Sequence, residues 1–156
     1  MPEVRASLSL PQTIEVIPTK EPHMYLTSSE AQKMLQAAQA KAQQMDVKVS
    51  ISVVDGRGDL LTMVRLDGVS WRTAGISKGK AYASANFGVP SAELTARASS
   101  PVMQAFMLSV PGEMVPAQGA VPVLRDGRVL GAIGVSGAKS EEDEEIAKAG
   151  VAALQK

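Results

Sequence analysis

Residues 47–66 read VKVSISVVDGRGDLLTMVRL and have the pattern of an antiparallel β-hairpin. The first half alternates polar residues with the apolar Val47, Val49, Ile51 and Val53, which is the period-two signature of a strand with one buried face. A glycine-rich turn from Asp55 to Asp59 follows, because glycine adopts positive φ at little steric cost. Leu60 to Leu66 then returns as the second strand, and Asp67-Gly68 ends the hairpin.

A second hairpin is predicted near the carboxyl end of the chain. Ala120 to Leu124 and Arg128 to Val135 flank the turn Arg125-Asp126-Gly127. The second of these strands contains Gly131 and Gly134, and glycine inside a strand indicates that a helix, another backbone or a ligand approaches closely. Two hairpins predict an antiparallel sheet.

Helical patterns lie before, between and after the two hairpins. Thr27 and Glu30 form a capping box ahead of apolar residues at helical spacing. Trp71 to Phe87 is a second helix, Pro90 opens a short third one, and the Met-rich segment after Pro101 contains one more turn or two. Ser140 is expected to cap a last helix, whose acidic first turns suit the helix dipole.

This order of elements predicts an α+β fold, with a profilin-like antiparallel sheet flanked by helices over residues 26–156. Residues 1–25 contain Pro11, Pro18 and Pro22, which interrupt any helix, so we expect an N-terminal extended arm that packs on its own domain or on a neighbouring subunit.

The composition excludes several classes of function. Sixteen basic residues balance sixteen acidic ones, which argues against nucleic-acid and membrane partners. The chain has no cysteine and one histidine, so cysteine-based metal sites and multi-histidine cages are excluded and no metal site is expected. The first residues lack the apolar segment of a secretion signal, and we expect a cytoplasmic protein.

Four segments in this order carry a resemblance to a known family. They are SISVVDGRGDLL, the RLDG at 65–68, the SKGKAYASA that begins at Ser77 and the GAVPVLRDGRVLGAIGVSG that begins at Gly119. With the acidic EEDEEIAKAG they resemble the GlcG/HbpS-like family, which also occurs as the C-terminal domain of PduO-type proteins. The chain departs from the family pattern at Leu66, where methionine is common, and at Ala120, where a second glycine is common.

This resemblance implies a profilin-like domain that forms homo-oligomers and binds a small molecule. Some members bind or degrade haem, and others accompany catabolic enzymes. Haem binding in the family is associated with histidine, and this chain offers only His23.

The candidate site residues each have a functional and a purely structural interpretation. Lys80, which matches the family's Lys-Ala position, is a candidate for anion binding or proton transfer, or else a solvated charge. Arg65 and Asp67 either bind a ligand or form an ion pair that stabilises the strand-to-helix connection. Glu113 is either a general base or a surface residue, and His23 is either a haem ligand or a surface histidine. The last candidate is the loop at Gly119.

Three hypotheses follow, of which the third is a scaffold or chaperone-like partner protein with no ligand. The first is a small-ligand-binding protein that holds haem or a comparable anionic ligand with Arg65, Lys80, the Gly119 loop and His23. The second is a cofactor-independent lyase, isomerase or tautomerase acting on a small carboxylated or phenolic catabolite. In that enzyme Arg65 would hold the carboxylate while Lys80, Asp67 or Glu113 moved the proton.

Overall fold

The structure is a computed structural model that describes residues 23–155. Of the predicted arm, all but the last three residues lie outside the described part of the chain. The elements run in the order α1 (Ser28–Gln44), β1 (Ser50–Asp55), β2 (Leu60–Arg65), α2 (Arg72–Phe87), α3 (Ala92–Thr95), α4 (Pro101–Ser109), β3 (Ala120–Arg125), β4 (Arg128–Ser136) and α5 (Ser140–Ala152).

The four strands form one antiparallel sheet in the order β2-β1-β4-β3. Both predicted hairpins are present, and the central pairing joins β1 to β4, with Ile51 opposite Val135. Because β1 and β4 are antiparallel, the turns of the two hairpins lie at the same end of the sheet, which we call the hairpin end. The opposite end holds Arg65, Ser50 and Ser136 in neighbouring strands.

Helices cover both faces of this sheet. On one face α1 and α5 close the main core, in which Met34, Ile51, Ile133 and Ile146 are fully buried. On the other face α2 lies so close to β4 that a side chain at Gly134 would meet the backbone of Ser77. The predicted α+β architecture is therefore confirmed, and the close approach predicted at Gly134 is that of a helix.

Polar contacts hold α2 to the sheet. Ser50 and Ser52 of β1 are completely buried and hydrogen-bond the hydroxyls of Thr73 and Ser77, at 2.8 and 2.7 Å. These pairs explain why the polar half of the β1 alternation faces a helix without leaving buried hydroxyls unsatisfied.

The helix starts confirm one capping prediction and correct another. Thr27 and Glu30 make the full capping box, with backbone-to-side-chain bonds of 2.9 and 3.1 Å. The prediction that Ser140 caps α5 is wrong: the N-cap is Lys139, whose backbone N–H donates to Glu142 at 3.0 Å. Helix α4 spans nine residues, about two and a half turns, and is longer than the one or two turns expected; the Ser100 side chain caps its start. Among the described residues, no helix combines the length and apolarity that crossing a membrane requires.

Candidate functional site

Lys80 lies at the end of the sheet opposite the hairpin turns and is 4% exposed. Its ammonium group donates to the Asp143 carboxylate at 3.1 Å and to the carbonyl oxygen of Val135 at 3.0 Å. The carboxylate of Asp143 is equally buried and also accepts a bond from the Ala138 backbone N–H at 3.0 Å. Burial raises the pKa of Asp143 above its usual value, against the opposing attraction of Lys80.

The absence of a side chain at Gly119 leaves room for this ion pair. The backbone there has φ of 133°, and a Cβ would lie 2.8 Å from the Lys80 nitrogen and 2.7 Å from the Val135 oxygen. The structure therefore brings Lys80 and Gly119 together, as the sequence predicted for a site. They meet in a closed, hydrogen-bonded cluster that joins α2, β4 and α5.

The other candidates at this end of the sheet lie outside that cluster. Arg65 and Asp67 are exposed, and Arg65 pairs with Ser50 on the edge strand. Two strand spacings, about 10 Å, separate Arg65 from β4, where Lys80 is bonded. Glu113 pairs with Lys78 at 3.5 Å, rather than with Lys80 or Arg65.

His23 lies at the hairpin end of the sheet. It lines a cleft with the hairpin residues Arg125 and Arg128. Arg128 and Val135 are seven positions apart along β4, or roughly 23 Å at the usual rise per strand residue. Within one chain, His23 and Lys80 cannot contact the same small molecule.

The cleft beside His23 has a volume of about 330 Å³. It is lined by an imidazole, a thioether, two guanidinium groups, one carboxylate and an apolar side chain, contributed by His23, Met24, Arg125, Arg128, Asp126 and Leu130. The His23 ring lies 5.4 Å from the ring of Tyr25, tilted by 44°.

The two arginines of the cleft are held differently. Arg125 bonds Glu30 at 2.6 Å and the carbonyl oxygen of His23 at 3.2 Å, so it fixes the start of the described chain against the sheet. Partial burial acts to raise the pKa of the Glu30 carboxyl group, but the hydrogen bonds that it accepts from Thr27 and Arg125 outweigh this effect and hold the pKa below its usual value. The guanidinium of Arg128 donates to the sulfur of Met24 at 3.2 Å, and within residues 23–155 it has no carboxylate partner.

This arrangement suits an anionic ligand that carries a metal. A guanidinium bound only to a weak sulfur acceptor can turn to a carboxylate at little cost. Histidine and methionine are both axial ligands of haem iron. No three His, Asp or Glu side chains in the described part of the chain are grouped so as to hold a free metal ion by themselves.

Sequence reasoning missed four of the residues that form these two places, namely Met24, Arg125, Arg128 and Asp143. Asp143 falls in the acidic run interpreted as helix-capping charge, Met24 in the predicted arm, Arg125 in a predicted turn and Arg128 at the start of a predicted strand. The available signal was Arg125-Asp126-Gly127-Arg128 itself, in which an arginine stands on each side of a two-residue turn.

Comparisons with known proteins agree with this fold. The family model described as haem degrading protein HbpS-like matches residues 26–152. An uncharacterised 15.0 kDa protein encoded in the dhaT–dhaS intergenic region of Citrobacter freundii is 36% identical over 125 residues, which cover 79% of this chain and 87% of that protein. The corrinoid adenosyltransferase PduO of the same organism is 30% identical over 138 residues, 87% of this chain but only 41% of PduO.

Solved structures give the same result. The Klebsiella pneumoniae protein ORFY superposes with a TM-score of 0.78 at 27% identity, covering 89% of this chain and 97% of that one. A double mutant of Streptomyces reticuli HbpS has a TM-score of 0.75 at 32% identity and coverage of 86% and 90%. A complex of the PduO C-terminal domain with haem has a TM-score of 0.74 at 26% identity and coverage of 83% and 94%. The fold, the order of its elements and the family match over residues 26–152 together show that this chain belongs to the HbpS-like family.

Proposed function

We propose that this protein binds haem, or a chemically comparable anionic tetrapyrrole, in the cleft formed by residues 23–24 and the β3–β4 turn. The observation that carries the proposal is the meeting of His23 and Met24 with Arg128, whose guanidinium has no carboxylate partner in the described chain. The haem complex of the PduO C-terminal domain, at 26% identity, supports the choice of ligand.

The residues of the cleft fit the parts of this ligand. His23 and Met24 supply the two kinds of neutral donor that bind haem iron. Arg128 would bind a propionate carboxylate, while Arg125, already bonded to Glu30, keeps the cleft in shape. Haem would supply iron-centred redox and ligand-binding chemistry; the protein's contribution is to hold and orient it.

The test uses the fact that the chain contains a single histidine. Titration of the purified full chain with haemin should give a saturable shift of the Soret band. His23→Ala removes the imidazole but keeps the carbonyl that Arg125 bonds, so the fold should survive while the spectrum changes. Added imidazole should restore the spectrum of the unmodified protein.

Two further variants separate the iron ligand from the anion contact. Arg128→Ala should raise the haem dissociation constant roughly three- to tenfold, because an exposed charge-assisted contact contributes about 1 kcal/mol. Arg97→Ala, which removes an exposed arginine that does not line the cleft, is the matched control and should leave the titration unchanged. A Soret shift that survives His23→Ala and Met24→Leu together would contradict the assignment.

The enzyme hypothesis receives no comparable support from the geometry. A cofactor-independent lyase or isomerase would need Arg65 and a proton-transfer group in one pocket. Arg65 lies on the edge strand, Lys80 is closed within its ion pair and Glu113 is bonded to Lys78. We therefore propose binding, and not catalysis by these residues, as the function.

A further inference from the structure

A second cavity, of about 300 Å³, lies between the end of α2, the α3–α4 connection and α4. Its lining includes Phe87, Arg97, Ser100, Met103 and Phe106, none of which lines the proposed haem cleft. Exposed side chains, those of Asn86 and Val102, complete the lining, so the cavity opens to solvent. An apolar cavity with a few polar groups is the usual form of a small-molecule site.

Aromatic surface is concentrated in this cavity. The chain contains only two phenylalanines, Phe87 and Phe106, and both line it. Their ring centroids are 5.5 Å apart and their planes meet at 73°, which is an edge-to-face contact. Both rings are only half-buried, and they pack against a small apolar cluster that contains Met103. Ring edges beside a thioether suit a flat apolar group.

Arg97 places a positive charge beside this apolar surface. Its guanidinium carbon lies 5.6 Å from the centre of the Phe87 ring, in a cation–π contact. Among residues 23–155 the guanidinium has no carboxylate within ion-pair distance and no hydrogen-bond acceptor. Its planar fork of N–H donors can therefore bind a carboxylate without breaking an ion pair.

Ser100 supplies a second donor to the same cavity. Its hydroxyl oxygen accepts the Met103 N–H at 3.3 Å and so caps α4. A serine hydroxyl also has one hydrogen to donate, and in the described part of the chain this hydrogen has no acceptor. The polar groups of the cavity are thus donors that suit an anion.

The volume limits the ligand to a small molecule. At roughly 30 Å³ for each group the size of a water molecule, about 300 Å³ holds on the order of ten non-hydrogen atoms. One aromatic ring with one carboxylate has this size, whereas the macrocycle of haem is several times larger.

We infer that this cavity binds a small aromatic monocarboxylate, of the class of benzoate or phenylacetate. Its ring would pack against Phe87 and Phe106, and its carboxylate would accept from Arg97 and Ser100. The inference does not rest on the proposed haem function, because the two sites share no residue.

The experiment is a titration of the full chain, labelled with ring-¹³C phenylalanine, with benzoate followed by NMR. Both phenylalanines of the chain line the cavity, so both sets of ring signals should shift and saturate, with a dissociation constant of about 0.1–1 mM. Neutral benzamide should bind roughly three- to tenfold more weakly, because it lacks the charge that Arg97 recognises. Cyclohexanecarboxylate, which keeps the charge but not the aromatic ring, should bind at least about threefold more weakly.

Variants test the contact with the anion. Arg97→Ala should raise the dissociation constant of benzoate roughly three- to tenfold and leave the circular dichroism spectrum unchanged, because the side chain is exposed. Arg72→Ala, which removes an exposed arginine at the other end of α2, is the matched control and should bind benzoate as the unmodified chain does. Arg97→Ala should leave the haem titration unchanged, so a failure at one site is distinguishable from a failure at the other.

Three results would overturn the inference. The first is the absence of any shift at ten times the expected dissociation constant, and the second is equal binding of benzoate by Arg97→Ala and the unmodified chain. The third is a pair of phenylalanine signals that moves on dilution and not with benzoate, because a second copy of the chain would then cover the cavity. Equal affinity for benzoate and cyclohexanecarboxylate would overturn the assignment to an aromatic ligand.

Discussion

Replacement of Asp143 by asparagine should strongly destabilise this protein, although the side chain changes by a single atom. The variant keeps an oxygen that can accept the Ala138 N–H, so the start of α5 remains satisfied. It removes the negative charge beside the Lys80 ammonium, which is 4% exposed and has Val135 as its other acceptor.

The magnitude follows from the asymmetry of buried ion pairs. Removing one partner leaves an uncompensated buried charge and costs about 3–5 kcal/mol, whereas replacing both partners by neutral groups of similar size is often nearly neutral. Asp143→Asn should therefore lower the free energy of unfolding by about 3 kcal/mol or more and the melting temperature by roughly 10 °C. Lys80→Met together with Asp143→Asn should lose less than half as much.

Urea unfolding followed by circular dichroism measures both effects, in a double-mutant cycle with each single variant. The informative quantity is the coupling energy between the two positions, which we expect to exceed about 2 kcal/mol. If Asp143→Asn lowers the free energy of unfolding by less than about 1 kcal/mol, or if the effects of the two single variants simply add in the double variant, the pair does not stabilise the fold as we argue.

Three other predictions concern separate parts of the fold. Gly134→Ala should destabilise the protein by about 2 kcal/mol or more in thermal unfolding, because the new methyl group would meet the backbone of Ser77, which can move away only by displacing α2. Glu30→Gln should reduce the loss of stability in acid, because a carboxylate whose pKa is held below its usual 4.5 stabilises the fold above that pH. This contribution disappears as the pH falls through the lowered pKa, so the free energies of unfolding of the two proteins should differ at about pH 6 and approach each other in acid. Leu94→Ala, at a fully buried position, should cost about 2–5 kcal/mol in urea unfolding. Equal stability of any of these variants and the unmodified protein would contradict the corresponding contact.

The sheet and most helices could be predicted because their signals are local. The alternation from Val47 to Val53 and the glycines of each turn specify neighbours a few residues apart, and the capping box at Thr27 spans only three. The start of α5 was misjudged at Ser140 because serine is a good N-cap by type. The structure instead gives the cap position to Lys139, and the carboxylates of Glu142 and Asp143 reach back to satisfy the donors.

The candidate site was harder to predict because its contacts join distant parts of the chain. Lys80 and Asp143 are 63 positions apart, and Arg125 and His23 are 102 apart. A lone sequence indicates that a lysine falls on a helix of small residues, but it does not indicate which of five neighbouring acids lies opposite. The same limit separated Arg65 from Lys80: both lie near one end of the sheet, and only the strand order β2-β1-β4-β3 shows that two strands intervene.

The energy of the buried pair also decides where a ligand can bind. For an anion to reach Lys80, the Asp143 carboxylate would first have to leave the ammonium group. Breaking a buried ion pair in this way costs about 3–5 kcal/mol. That cost alone would weaken binding by a factor of at least a hundred. At the hairpin end no such contact must break, because Arg128 gives up only a weak bond to the sulfur of Met24. We therefore propose Arg128 at the turn as the cation that binds a ligand, whereas Lys80 is held in its ion pair with Asp143.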